Sequence, residues 1–305
     1  MKILVLGNAQ RPGVRAEVER WLPWLRSQAE VVAVDLCQEA DLAALAPTDV
    51  ALVFGGDGAI LRAARQMAYR QIPVLGINLG RLGFLADIHP DDFQRSFQEV
   101  AQGNYGVTRH LMFECLVEGD SQPPPPLPPL HKGGPGNPFP PLDKGGPGGV
   151  LLGLNEVVVH ALPPFHILDL ELEIDGLPVA RFSGDGLIIS SPIGSTAHNL
   201  SAGGPILAQE LSAFVVTPIC AHTLTYRPIV ESAEKVHVVR LGQGARQAAV
   251  IVDGQEAAPL GPGQRVVIRM APVSFSLVKV PGRSYYQTLR DKLRWGLQPG
   301  KPIEP

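Results

Sequence analysis

Four short apolar runs, none of them interrupted by a charged residue, recur within the first eighty residues. They cover residues 3–6, 31–34, 50–54 and 73–77, with segments of helical character at 14–27, 59–69 and, further on, about 91–102. An apolar run without polar alternation suits a strand buried on both faces, which is the usual environment in a parallel sheet. The alternation of strands and helices therefore predicts a Rossmann-like α/β domain with a parallel sheet over residues 1–106.

Beyond Gly106 the pattern changes to short β-rich runs separated by turn residues such as Asp175-Gly176. The runs lie at 112–117, 156–160, 168–174, 187–190, 236–240, 248–252, 266–270 and 275–280. Strands of this length and spacing, without helical segments between them, are typical of an all-β domain. We expect a β-sandwich over residues 107–283, and a final stretch of about 284–305, helical at 285–295, that returns to the first domain.

Residues 121–149 differ from both predicted domains because Pro and Gly dominate them. The segment PPLHKGGPG at 128–136 recurs as PPLDKGGPG at 140–148. Such a composition buries too little apolar surface to offset the entropy lost on ordering. The sequence predicts a disordered surface insertion between two strands, and the PxxP spacing leaves a ligand of SH3-type modules as a less favoured alternative.

Charge and cysteine usage exclude several classes of protein. A net charge of −3 gives no sign of nucleic-acid or anionic-membrane binding. The apolar run at 3–6 is shorter than the roughly 7–15 residues of a secretory signal, and nothing approaches the ~18 apolar residues of a membrane span. The cysteines at 37, 115 and 220 form no CxxC pair, which argues against disulfides and zinc. We expect a reduced, cytoplasmic protein.

The segment Gly55-Gly56-Asp57-Gly58 follows the third predicted strand and precedes a helix. Ligands of open α/β sheets bind at the carboxyl ends of the strands, where glycines and a helix N-terminus bring N–H groups close to phosphate oxygens. A carboxylate among phosphates needs a task, such as accepting a proton from an attacking hydroxyl or holding Mg²⁺. An ordinary strand-to-helix turn explains the four residues equally well.

Two further glycine-rich segments are candidates for ligand binding. One is GINLGRLGFL at 76–85, after the fourth strand, and the other runs from Asp185 to Pro205. In the second, the hydroxyls of Ser195 and Thr196 are candidate donors to a ligand. Taken singly, each segment is explained more simply as a structural loop.

Taken in order along the chain, these segments resemble the NAD kinases. The resemblance rests on GGDG, GINLGRLGFL, Asn155-Glu156, DGLIISSPIGSTAHNLSAGGPI from Asp185, His222-Thr223-Leu224, RPIV from Arg227, and Asp253-Gly254-Gln255. It covers nearly the whole chain outside 121–149 and implies an N-terminal α/β domain and a C-terminal all-β domain with NAD between them. It also implies ATP or polyphosphate as phosphoryl donor, NAD as acceptor, Mg²⁺ as the divalent cation, and a homodimer or homotetramer.

The resemblance assigns roles residue by residue. Asp57 corresponds to the general base that takes the proton of the adenosine 2′-hydroxyl. Gly55, Gly56, Gly58 and Arg62 correspond to the surroundings of the phosphates. The residues implied in NAD binding are Asn78, Asn155, Glu156, Asp185, Thr196, Ala197, His198, Ser201 and Gln255.

Two positions depart from the family pattern, and two other functions compete with it. Ala59 replaces a threonine, which removes a hydroxyl near the phosphates, and His198 replaces a tyrosine, for which we expect a stacking role. A lipid or sugar kinase shares GGDG alone and leaves the motif from Asp185 unexplained. A dinucleotide sensor without catalysis has no use for Asp57, because a carboxylate repels phosphates.

Overall fold

The computed structural model describes residues 1–37, 40–42, 44–80, 83–119, 149–223, 225–242, 247–282 and 284–294. The chain forms two compact units, residues 1–108 with 276–305, and residues 109–275. The expected insertion at 121–149 lies outside the described residues except for Gly149. No helix within the described ranges combines the length and the apolar character that crossing a membrane requires.

The first unit alternates strands and helices around a parallel sheet. Its elements are β1 (Lys2–Gly7), α1 (Val14–Gln28), β2 (Glu30–Asp35), β3 (Val50–Phe54), α2 (Asp57–Gln66), β4 (Val74–Ile77) and α3 (Phe93–Ala101). The strands pair in parallel in the order β2-β1-β3-β4. Every residue of β3 and β4 is buried, as an apolar run without alternation predicts. The predicted parallel α/β domain is confirmed.

Helix α2 begins at Asp57, two residues before the predicted start. Gly56 is extended and leaves Asp57 as the first helical residue, where a carboxylate interacts favourably with the helix dipole. The helix also ends early, at Gln66, because Ala68 adopts a left-handed conformation with φ of 48°. The candidate base therefore lies on the helix and not in the turn before it.

The second unit consists almost entirely of strands. In chain order they are β5 (Gly106–Gly119), β6 (Leu151–Gly153), β7 (Glu156–Ala161), β8 (Leu168–Ile174), β9 (Leu177–Gly184), β10 (Gly186–Ser190), β11 (Ala213–Ile219), β12 (Ile229–Ser232), β13 (His237–Leu241), β14 (Ala248–Val252), β15 (Gln255–Leu260) and β16 (Gln264–Lys279), with a short helix α4 (His198–Ser201) after β10. One sheet has the order β12-β11-β10-β7-β14-β15, and the other contains β16-β13-β8-β9 together with β5 and β6. Side chains of both sheets, such as Val157, Val250, Leu170 and Ile268, share one buried core. The predicted β-sandwich is confirmed.

The strands predicted at 266–270 and 275–280 are in fact one strand, β16. Pro272 lies between the two predicted runs, and a strand continues past a proline where no ladder hydrogen bond needs its N–H. The last residues of β16 belong to the first unit, where Leu277 pairs in parallel with Val74. The C-terminal helix α5 (Tyr285–Leu293) belongs to the same unit.

Candidate active site

The GGDG segment forms a tight connection from β3 to α2. Gly55 has a φ of 151°, and a Cβ at this position would lie 2.7 Å from the Cβ of Ala59, so only glycine fits without strain. Its N–H donates to the carbonyl of Ile77 on β4 at 2.9 Å. Around Gly56 and Gly58, no described atom lies within 4 Å of a Cβ built there. The turn thus leaves open space beside the first turn of α2.

The Asp57 carboxylate is held by the backbone of the second glycine-rich segment. Oδ2 accepts the N–H of Phe84 at 2.8 Å, and Oδ1 accepts those of Leu85 and Ala86, both at 3.0 Å. A carboxylate has about four acceptor positions, so three are occupied and the remaining one is on Oδ2. The structure therefore joins two motifs that are separate in the sequence.

Two other candidates of the first unit lie on neighbouring elements. Arg62 is on α2, and its buried Nε has no hydrogen-bond partner among the described residues. Asn78 follows β4, is 4% exposed, and accepts the N–H of Gly80 at 2.9 Å. It borders a cavity of about 270 Å³ that Gly13, Glu17 and His89 also line.

In the second unit, Asp253 organises the Asn155-Glu156 pair. Asp253 and Gly254 have φ values of 48° and 73° and form the two-residue turn between β14 and β15, a hairpin type that favours Asp-Gly. The Asp253 carboxylate accepts the N–H of Leu154 at 3.0 Å, of Asn155 at 2.7 Å and of Glu156 at 3.3 Å. In the sequence, Asp253 stands out only as part of the Asp253-Gly254-Gln255 segment of the family resemblance.

The carboxyl group of Glu156 has a strongly raised pKa. Burial, and secondarily the charge of Asp253, raise its pKa to about 8, although a backbone hydrogen bond from His198 opposes the rise. Its Oε2 has no hydrogen-bond partner among the described residues. Near neutral pH the group is therefore mostly protonated, and it offers both a donor and an acceptor to a ligand.

His198 lies next to Glu156 at the start of α4. Its pKa is lowered by partial burial and then by the neighbouring His160, which keeps the imidazole neutral at physiological pH. A neutral ring suits stacking on a base better than pairing with a phosphate.

The hydroxyls of the two candidate donors, Ser195 and Thr196, make hydrogen bonds within the loop before α4. Ser195 Oγ donates to the carbonyl of Pro192 at 2.5 Å and accepts the N–H of Leu207 at 3.0 Å. Thr196 Oγ1 donates to the carbonyl of Ile193 at 3.1 Å. The buried Asn199 donates to the carbonyls of Ser195 and Pro205 and accepts from Thr217. These residues give the loop its shape.

Asp185 lies where the chain passes from one sheet of the second unit to the other. It is exposed, between β9 and β10, and its carboxylate raises the pKa of the Cys220 thiol. Of the remaining candidates, Ala197 precedes α4, Ser201 ends it, and Gln255 begins β15. The Ser201 and Gln255 side chains make no hydrogen bond within the described part of the chain.

The candidates fall into one set in each unit. The set of the first unit comprises Gly55, Gly56, Asp57, Gly58, Arg62 and Asn78, and that of the second comprises Asn155, Glu156, Asp185, Thr196, Ala197, His198, Ser201 and Gln255. Within the second set, the Asp253 carboxylate accepts the N–H groups of both Asn155 and Glu156, and a backbone hydrogen bond from His198 lowers the pKa of Glu156. Among the described residues, no three His, Cys, Asp or Glu side chains are grouped so as to hold a metal ion.

Comparison with known proteins gives matches in both units. The model of the ATP-NAD kinase N-terminal domain matches residues 14–105, and that of the C-terminal domain matches residues 154–280. The NAD kinase of Rhodopirellula baltica is 40% identical over 294 residues, which are 96% of this chain and 86% of that protein. The NAD kinase of Psychrobacter arcticus is 38% identical over 251 residues, 82% of this chain and 70% of that protein.

Two solved structures are similar over almost the whole chain. The crystal structure of yeast NADH kinase complexed with NADH has a TM-score of 0.80 at 20% identity and covers 98% of this chain and 88% of its own. The structure of an NAD kinase from Archaeoglobus fulgidus in complex with ATP has a TM-score of 0.71 at 25% identity. It covers 96% of this chain and 99% of its own. At 20% identity, the similarity to the yeast structure concerns the fold alone.

Proposed function

Because this chain belongs to the NAD kinase family, we propose how the residues of its two units carry out the reaction of that family. The chain is a phosphotransferase that phosphorylates NAD to NADP. A lipid or sugar kinase that shares only GGDG does not account for a family match that extends through residues 154–280.

Asp57 is the general base of the reaction. The observation that carries this role is the carboxylate at the start of α2, oriented by three backbone N–H groups so that one acceptor position remains on Oδ2. The proton of the adenosine 2′-hydroxyl moves to Oδ2 while the hydroxyl oxygen forms a bond to the terminal phosphorus of ATP. The bond between that phosphorus and the bridging oxygen breaks, and ADP leaves with the electron pair.

The phosphates of the donor lie along the turn at Gly55, Gly56 and Gly58. The free N–H groups of the first turn of α2 attract anions, and the unpartnered Nε of Arg62 adds a donor of fixed charge. Mg²⁺ enters with the nucleotide as part of the substrate. This ion generally keeps several water ligands and binds through substrate phosphates, with few protein carboxylates.

NAD is recognised mainly by residues of the second unit. We assign the adenine and its ribose to Asn155 and the protonated Glu156, and the ribose on the nicotinamide side to Asp185. His198 stacks on the dinucleotide as a neutral ring. The remaining contacts with NAD are Asn78, Thr196, Ala197, Ser201 and Gln255.

The resemblance to the family also supports a homodimer or homotetramer, a cytoplasmic location and polyphosphate as an alternative donor. Light scattering coupled to gel filtration measures the mass of the assembly. One chain has a mass of 32.6 kDa. A measured mass of one chain at the concentration of the assay would contradict the proposed oligomeric state.

The activity is tested by incubating the protein with ATP, Mg²⁺ and NAD and measuring NADP with an NADP-specific dehydrogenase. Parallel reactions replace ATP with polyphosphate and NAD with NADH, and a reaction without donor is the blank. We expect NADP to accumulate only when a donor is present. A protein that binds NAD in a titration but forms no NADP would be a dinucleotide sensor, and the proposed mechanism would be wrong.

A further inference from the structure

The C-terminal helix α5 brings a lysine close to the carboxylate of Asp57. Lys292 Nζ lies 4.0 Å from Asp57 Oδ2, and the two side chains are only 27% and 30% exposed. The same ammonium lies 4.0 Å from the centroid of the Phe84 ring, within the range of a cation–π interaction. No sequence motif pointed to Lys292, and the role of Asp57 does not itself require it.

Phe84 couples the positions of the base and the cation. Its backbone N–H donates to Asp57 Oδ2, while its ring lies beneath the ammonium. The helix that carries Lys292 is itself well anchored. A capping box of Ser284 and Gln287 starts it, and Leu289, which precedes Lys292 by three residues and so shares its side of the helix, is 4% exposed.

The spacing of 4.0 Å leaves the ammonium available to a third group. The distance between the ammonium and the carboxylate is longer than that of a hydrogen bond, and Lys292 Nζ makes no hydrogen bond within the described part of the chain. The acceptor position left on Asp57 Oδ2 is the one to which the attacking hydroxyl must donate. The phosphoryl group that this hydroxyl attacks therefore lies beside the same oxygen, within reach of a cation 4.0 Å away.

We propose that Lys292 is a further catalytic residue of this kinase, whose ammonium binds the terminal phosphate of the donor beside Asp57. The inference rests on the proposed function. An anionic carboxylate repels the terminal phosphate of ATP, and a cation between them offsets that repulsion and the charge that develops during transfer. The pyrophosphate of NAD is the less favoured partner, because several bonds separate it from the 2′-hydroxyl.

The test compares Lys292→Met and Lys292→Arg with Arg290→Met, which removes a positive charge from an exposed position of the same helix. Binding of ATP, ADP and AMP is measured by calorimetry, and steady-state kinetics give KM for ATP and for NAD. A lost charge-assisted contact corresponds to about a tenfold to 100-fold change. We expect Lys292→Met to weaken ATP binding by at least about tenfold, with AMP binding and KM for NAD nearly unchanged.

Restoration of the charge distinguishes phosphate binding from a structural role of the helix. Lys292→Arg should recover most of the ATP affinity, and Arg290→Met should behave as wild type. Equal losses for ATP and AMP, or unchanged ATP binding in Lys292→Met, overturn the inference. Wild-type NADP formation is measured in the same series, so that a wild type without activity overturns the proposed function, and the inference with it.

A measurement on the wild-type protein remains decisive if Lys292→Met does not fold. Reductive methylation with formaldehyde and a borohydride, followed by peptide mass spectrometry, reports the access of reagent to Lys292. We expect ATP to protect Lys292 and AMP to leave it reactive. Equal protection by the two nucleotides, or none from ATP, contradicts a contact with the terminal phosphate.

Discussion

A Cβ atom on Gly83 would lie 1.9 Å from Asp57 Oδ1. That distance is far inside van der Waals contact, and the obstructing atom belongs to a side chain that three backbone N–H groups hold in place. Gly83 is therefore required for the space that it leaves to the carboxylate. The need for glycine at this position is steric and does not come from a positive φ angle.

Gly83→Ala should displace Asp57 and inactivate the enzyme. Because a shift of about 1 Å in a catalytic group costs roughly 100-fold in rate, we expect kcat to fall by about that factor. Gly80→Ala is the matched control, since a Cβ at Gly80 has its nearest described neighbour at 3.9 Å. The measurement is kcat for NADP formation, and similar losses in the two variants would contradict the steric explanation.

Asp57→Asn should lower kcat by at least about 100-fold, the lower range of a general-base contribution, with little change in NAD affinity. The amide preserves the shape of the side chain but cannot accept the proton. Asp87→Asn is the control. It makes the same chemical change at another carboxylate of the first unit, which is paired with Lys279 at 2.6 Å. Near-normal turnover of Asp57→Asn would show that Asp57 is not the base.

Glu156 should make the folded protein less stable at alkaline pH. Its pKa rises from 4.5 in the unfolded chain to about 8 in the fold. Between these two pKa values the folded protein keeps the Glu156 proton that the unfolded chain has lost. The stabilisation from this proton is complete below the pKa of the unfolded chain and is lost as pH rises through the pKa of the folded protein.

Glu156→Gln removes that dependence. Without ligand, we expect the Tm of the variant relative to wild type to increase from pH 6 to pH 9 by several degrees, since about 1 kcal/mol shifts the Tm of domains this size by roughly 2–4 °C. Glu210→Gln, at an exposed position of the same unit, should show no such trend. A Tm difference that stays constant over this range would mean that Glu156 is ionised throughout.

Replacing residues 121–149 with a short Gly-Ser-Asn-Gly turn should preserve both folding and activity. The strands on either side, β5 and β6, pair antiparallel with Cys115 opposite Leu151, so a short connection suffices to join them. Each doubling of loop length costs only about 0.6 kcal/mol, and the Tm should change little. A loss in kcat/KM of more than about tenfold at unchanged Tm would show that the segment acts at the active site.

Local patterns predicted those parts of the fold that local physics controls. The apolar run of β3 and the alternation of β8 predicted both ends of each strand correctly. Burial on both faces produces a continuous apolar run, and burial on one face produces alternation of apolar and polar residues. The predicted runs omit β9 and β12, most of whose residues are exposed or only partly buried, and they also omit the largely buried β11. The runs at 266–270 and 275–280 predicted two strands, whereas the structure joins them in the single strand β16.

The sequence by itself determined the fold class, the family and the place of Asp57 in the segment that follows a buried strand, because these depend on residue types at short spacing. The tertiary structure alone decided what surrounds that carboxylate. Phe84 and Gly83 reach Asp57 because β4 pairs beside β3, and Lys292 does so because α5 belongs to the first unit. Contacts between residues so far apart in the chain arise from strand order and helix packing, which leave no periodic pattern around the residues concerned.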